Sequence, residues 1–187
     1  SKTLGSGWKL FLISEAASFF SFFWHYGFLI YKADHWPPAG TPPIHLTIPA
    51  LGTFILLTSS ITCELGHKAM LAGRRSLSKN WIALTFVLGL AFLSLQGYEW
   101  GYLRAYHNFT VGSGVLGTVF YLITGFHGAH VITGLLLLGL VYARLEFGDM
   151  DRRRHFSFNA ASWYWHFVDV IWFFVFLGLY LQIQPGH

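Results

Sequence analysis

Charge is what this chain most lacks. Only 11% of its 187 residues are Asp, Glu, Lys or Arg, against roughly 25% in an average soluble domain, so a water-facing surface of ordinary polarity cannot be built from it. Cysteine is nearly absent too. Cys63 stands alone, which excludes an intrachain disulfide and the paired thiolates that a dinuclear copper centre needs. Internal repeats and a separate soluble domain are likewise missing. The net charge of +4 comes from short loops and does not signal nucleic-acid binding.

What the chain has instead is apolar length. Hydrophobic residues make up 54% and aromatics 19%, and they fall into five runs near residues 8–30, 48–71, 80–103, 114–145 and 158–182. A helix needs about 20 apolar residues to cross a hydrocarbon core of about 30 Å. The expectation is an all-α integral membrane bundle, a single membrane domain over residues 1–187 with five transmembrane helices. The fourth run is long for one crossing and implies tilt or extension beyond the bilayer. Glu15 and His25 stand in the first run, which has no small-residue cleavage site, so it reads as a retained span with no targeting segment before it.

Orientation follows from the rule that inner loops accumulate Lys and Arg. With the amino terminus inside, Lys2, Lys9, Lys68, Arg74, Arg75, Lys79, Arg144, Arg152, Arg153 and Arg154 share the inner face, and only Lys32 and Arg104 lie outside. The carboxyl terminus is therefore expected outside.

Ionisable residues inside membrane spans are functional hypotheses by default. Glu15, Glu64, His67, Glu99, His127, His130, His166 and Asp169 all stand within the runs. Helical spacing of three residues puts His127 with His130, His166 with Asp169, and Glu64 with His67 on common faces. A metal site or a proton path is one reading; interhelical hydrogen bonding that fixes the bundle is the other. Packing is preferred, because membrane bundles join helices through polar side chains and small residues. A stripe at Gly125, Ala129 and Thr133 would let another helix approach, as would Ala160 and Ala161 on the fifth span. One His-x-x-His and one His-x-x-Asp fall short of a membrane di-iron site, so no metal and no catalytic residue is expected here. Trp8, Trp36, Trp81, Trp100 and Tyr102 suit the headgroup level. Trp163, Tyr164 and Trp165 lie deeper and should pack on neighbours, their N–H and O–H groups seeking acceptors.

Five ordered motifs carry a family resemblance. They are Phe11-Leu12-Ile13-Ser14-Glu15, Trp36-Pro37-Pro38-x-Gly40, Leu95-Gln96-x-x-Glu99, Thr124-Gly125-Phe126-His127-Gly128-x-His130-Val131, and the long run from His155-Phe156 through Ala160-Ala161-x-Trp163-Tyr164-Trp165-His166-Phe167-Val168-Asp169-Val170. With them the chain resembles subunit III of haem-copper respiratory oxidases, the cytochrome c and quinol oxidases.

The resemblance implies a non-redox accessory subunit that stabilises a proton-pumping terminal oxidase. Its expected partners are catalytic subunit I, subunit II, phospholipid, and in some assemblies a larger respiratory supercomplex. Haem and copper are expected in the partner subunits and none in this chain. The resemblance implies lipid binding at Glu15, His67 and Arg144; the interhelical polar network expected from position and spacing comprises Glu99, His127, His130, His166 and Asp169. The choice between cytochrome c and quinol as electron donor is made on other subunits.

The sequence departs from the family in three places. It matches the last five of seven helices, so one wall of the family's lipid cleft is missing; five-helix forms of bacterial oxidases have this pattern. Asn159 stands where Glu is common, and Glu64 occupies a position not usually acidic. The five-helix length and the lack of a transit segment point to a bacterial plasma membrane, with the mitochondrial inner membrane as the alternative. A subunit-III-like protein of nitric oxide reductases is the runner-up, and the Trp36-Pro37-Pro38 loop and the intact Trp163 to Asp169 run favour the oxidase. A transporter would show broken helices near the midplane, and paired Gly/Pro interruptions are lacking.

Overall fold

The computed structural model describes residues 2–32, 47–107, 115–148 and 156–180, all of them helical or in tight turns. The Trp36-Pro37-Pro38 loop and the basic run Arg152 to Arg154 lie outside the described residues. Five α-helices follow in order: α1 Lys2–Lys32, α2 Thr47–Leu71, α3 Arg75–His107, α4 Val115–Glu146 and α5 Phe156–Val175, the last continued by a π-helical turn at Phe176–Tyr180. Each covers one of the five apolar runs within the described residues, which leave out position 114 of the fourth run and positions 181–182 of the fifth. Both α1 and α3 start earlier than the apolar pattern alone predicts, because polar residues such as Ser6 and Lys79 can extend a helix beyond the hydrocarbon.

Helices α2, α3, α4 and α5 are long and apolar enough to cross a membrane. Helix α1 has the length but is diluted by Ser14, Ser18, Ser21, Glu15 and His25. Its serines return their hydroxyls to the preceding turn, Ser14 to Leu10 O at 3.0 Å, Ser18 to Ser14 O at 3.3 Å and Ser21 to Ala17 O at 3.0 Å. Such back-bonding satisfies a hydroxyl without water.

Helices α2 and α3 form a hairpin. Gly73 takes a left-handed φ of 80° just past the end of α2, a conformation that favours glycine. There Gly73 N–H bonds Met70 O at 3.0 Å and Arg74 N–H bonds Ala69 O at 2.9 Å. Along the hairpin Ser78 donates to Gly66 O at 2.8 Å and the hydroxyls of Thr62 and Thr85 meet at 2.6 Å. At the same end, Arg75 at the start of α3 donates from its guanidinium to Leu145 O and, at 2.9 Å, to Glu146 O. Leu145 O also accepts Gly148 N–H at 3.4 Å; the carbonyls of the last turn lack the usual helical donor, and a cation there is also favoured by the helix dipole.

The centre of the bundle is aromatic. Trp165 and Trp172 are almost wholly buried, and each indole N–H finds a hydroxyl on α2: Trp165 donates to Ser59 Oγ and Trp172 to Thr53 Oγ1, both at 2.9 Å. Room for Trp165 is made by glycine. A Cβ on Gly89 would stand 2.6 Å from Leu135 and 2.7 Å from Trp165, and one on Gly134 would stand 2.8 Å from Trp165. Close approach is thus made at Gly89 and Gly134. Of the stripe expected to make it, Gly125 meets the Trp100 ring, Ala129 is exposed, and Thr133, also exposed, hydrogen-bonds Tyr164 of α5. Ala160 and Ala161 are buried. Helix α1 packs last, against α4 and α5, and turns Leu10, Ile13, Phe20 and Trp24 outward.

Candidate functional site

The polar groups of the bundle sort into three places, each joining helices distant in sequence. In the first, Glu15 of α1 meets His130 of α4. The other ring nitrogen of His130, Nδ1, lies 2.8 Å from Phe126 O and must donate to that carbonyl. With its hydrogen on Nδ1, a neutral His130 has a bare Nε2, so the contact with Glu15 requires a further proton on one of the two groups. Phe19 and Phe126 flank the imidazole at ring distances of 5.1 and 4.6 Å, and Tyr164 stacks on it at 6.1 Å. The rings shield the imidazole, while the Glu15 side chain keeps 24% exposure.

In the second, His127 sends Nε2 to Val168 O of α5 at 3.0 Å. A helical carbonyl has a second lone pair for this. Phe92 of α3 meets the imidazole edge-on at 5.7 Å and Trp172 lies 5.2 Å away. The two histidines of the His-x-x-His motif therefore serve different neighbours, His127 the backbone of α5 and His130 the carboxylate of α1.

In the third, Ser60 of α2 stands between two residues of α5. Its Oγ lies 2.7 Å from His166 Nδ1 and bonds Asp169 Oδ2 as well. Across the imidazole, His166 Nε2 faces Glu64 Oε2 at 3.5 Å. Glu64 and His166 are partly open at the flank of the bundle, with side-chain exposures of 45% and 36%, whereas Asp169 is buried.

The other singled-out residues sit apart from these pairs. Glu64 turns to His166 while His67, one turn on, lies against the Phe158 ring at 5.2 Å. Glu99 is buried towards the far end of α3, where its charge acts on Tyr121 of α4. Arg144 is half-buried near the end of α4. Trp163 is partly exposed, with the Lys9 ammonium 5.3 Å above its ring. Among the described residues no group of three or more His, Cys, Asp or Glu side chains could hold a metal ion.

Sequence reasoning missed Ser60, Ser59, Thr53 and Arg75. The only available signal was the clustering of Ser59, Ser60 and Thr62 beside Glu64 in an otherwise apolar span. Hydroxyls are too common in membrane helices for that to single out a partner.

Residues 1–183 match the family model described as Cytochrome c oxidase subunit III. Among curated proteins, the chain is similar to cytochrome c oxidase subunit 3 of Branchiostoma lanceolatum, with 38% identity over 95% of this chain and 68% of that protein. The subunit 3 of Anopheles gambiae is 39% identical over 95% of this chain and 70% of that protein, and that of Papio hamadryas 38% over 96% and 69%. The chain thus spans a little over two thirds of these relatives.

Proposed function

We infer the function from a family premise: the chain belongs to the cytochrome c oxidase subunit III family, and so to the membrane part of a respiratory oxidase. Within that complex it acts as an accessory subunit that carries no redox centre and keeps the catalytic subunit intact. The observation that carries this reading is how the intramembrane polar groups are used. His127, His130, His166, Asp169 and Glu15 each engage another helix of the same chain. They fall in three separate places and do not converge on a common point where a substrate could react, and the contacts seen for each imidazole are to this chain's own groups.

All five helices cross the membrane as one domain, amino terminus inside. Bonding of the α1 serines to their own helix and the apolar outer face of α1 support a fifth span. Subunits I and II hold haem and copper and receive the outward faces, where Leu136, Phe54 and Trp24 are exposed. Phospholipid is the bound ligand. An apolar groove of about 720 Å³ between α1 and α5, lined by Phe19, Phe20, Phe23, Phe167 and Phe174 among others, suits an acyl chain. Glu15 and His67 lie along the lipid-facing helices, and Arg144 offers a guanidinium for a phosphate at the inner surface. The membrane is a bacterial plasma membrane.

The test is removal of the chain from the purified oxidase. Haem and copper should stay with the remaining subunits, turnover should continue in part, and it should decay faster during catalysis. Metal leaving with this chain, or turnover abolished at once, would refute the reading. In the intact complex, Arg144→Ala should lower the content of tightly held anionic phospholipid; unchanged content would remove Arg144 from the lipid site.

A further inference from the structure

In the ordinary ionisation state the third polar place leaves either a repulsive approach or an unmade hydrogen bond. Four groups in a row make three contacts: Glu64 Oε2 with His166 Nε2, His166 Nδ1 with Ser60 Oγ, and Ser60 Oγ with Asp169 Oδ2. The two contacts of Ser60 are hydrogen bonds and each needs a hydrogen between its heavy atoms; the 3.5 Å approach of His166 Nε2 to Glu64 at the half-exposed flank is electrostatic, and favours an N–H there over a bare nitrogen. With both carboxylates ionised and the imidazole neutral, Ser60 supplies one hydrogen and His166 one. If Ser60 donates to Asp169, the imidazole hydrogen is on Nδ1 and a bare Nε2 faces the Glu64 carboxylate. If the imidazole hydrogen is on Nε2, Ser60 donates to Nδ1 and turns a bare oxygen to the Asp169 carboxylate.

We propose that this row is a proton-holding site, in which Glu64, His166, Ser60 and Asp169 together carry one extra proton that rests on Asp169. In that state Asp169 Oδ2–H donates to Ser60, Ser60 O–H donates to His166 Nδ1, and His166 Nε2–H points at the Glu64 carboxylate. Three contacts then hold three hydrogens and the row has a net charge of minus one. The row can also reverse. The Asp169 proton passes to Ser60, the Ser60 proton to His166 Nδ1, and the Nε2 proton to Glu64. Hydrogens and net charge are conserved, and the negative charge moves from the half-exposed end to the buried one.

Two observations make Asp169 the resting place. It is only 7% exposed, against 45% for the Glu64 side chain, and its Oδ1 has no hydrogen-bond partner among the described residues. A buried ionised carboxylate with a bare oxygen is far costlier than a buried neutral acid. The neighbouring groups are engaged elsewhere: Cys63, the further titratable group close to both carboxylates, is bonded with Ser162, and the Trp165 N–H is given to Ser59. The inference rests on this chain's own geometry and stands apart from the accessory role proposed above.

Infrared absorption of the purified oxidase containing this chain tests it through the C=O stretch of a protonated carboxyl group. Such a band should shift when the complex is grown with ¹³C-carboxyl aspartate, disappear in Asp169→Asn, and move to higher frequency in Ser60→Ala, where the acid loses its acceptor. An Asp169→Asn complex that retains the subunit and matches the wild type in this region overturns the proposal. So does an unmoved band in Ser60→Ala. The labelled wild type needs no substitution, and a spectrum without an aspartate-sensitive protonated-carboxyl band overturns it even if the variants fail to assemble.

Discussion

Removing either member of the Glu15 and His130 pair should destabilise the bundle, but unequally, and the asymmetry can be worked out from their other contacts. In His130→Leu the partly buried Glu15 carboxylate loses its imidazole partner. Breaking a buried ion pair from one side costs about 3–5 kcal/mol. The 24% exposure of Glu15 lets the carboxyl protonate or turn aside, so about 2–3 kcal/mol is the reasonable expectation. In Glu15→Leu the imidazole still donates from Nδ1 to Phe126 O at 2.8 Å, so only Nε2 loses its partner, at about 1–2 kcal/mol. The double Leu variant removes both polar groups and should be within about 1 kcal/mol of wild type. Glu15→Gln keeps a donor for Nε2 and should resemble wild type. The assay is thermal stability of the purified complex with retention of this subunit as the readout, run as a double-mutant cycle. Equal losses for the two single variants, or a double variant as unstable as their sum, would refute the reasoning and with it the pairing of α1 to α4.

Gly134→Ala should destabilise by about 1–3 kcal/mol relative to Gly128→Ala, since overpacking costs about that much; a Cβ at Gly134 would stand 2.8 Å from Trp165, whereas one at Gly128 meets nothing within 4 Å. Equal melting temperatures for the two variants would contradict the seating of Trp165. Arg75→Ala should cost about 1–2 kcal/mol by removing two guanidinium bonds at the end of α4, leaving Leu145 O with only Gly148 N–H, and Arg75→Lys should recover only part of it; hydrogen exchange at residues 145–148 reads this directly, and unchanged protection would count against the cap. Lys79 and Glu146 form an ion pair open to solvent, so Lys79→Ala should have little effect on stability and that effect should vanish at high salt. A salt-independent loss would mean that Lys79 acts through its 5.8 Å contact with the Tyr142 ring.

The sequence by itself determined the class of the molecule. Charge is too scarce for a soluble surface, and apolar runs of membrane length produce helices wherever backbone groups must be satisfied without water. The placement of His127, His130, His166 and Asp169 within helices was legible for the same reason, as was the burial of Trp165 and Tyr164. Which neighbour each group would meet was not legible. Spacing gives an angle on a residue's own helix, and it cannot say which other helix lies in that direction. Hence His127 and His130, grouped by their separation of three, diverge to α5 and α1, and Glu64 leaves His67 to reach His166. The partners that complete these contacts are a serine hydroxyl at Ser60 and backbone oxygens of Phe126 and Val168, groups that nearly every helix carries. The small residues behave likewise, since glycine matters only where a neighbour is bulky, and Trp165 lies against Gly89 and Gly134, not the Gly125 stripe. Pairing across 106 to 115 residues of sequence is decided by how five helices share one apolar core, and only the packed bundle contains that information.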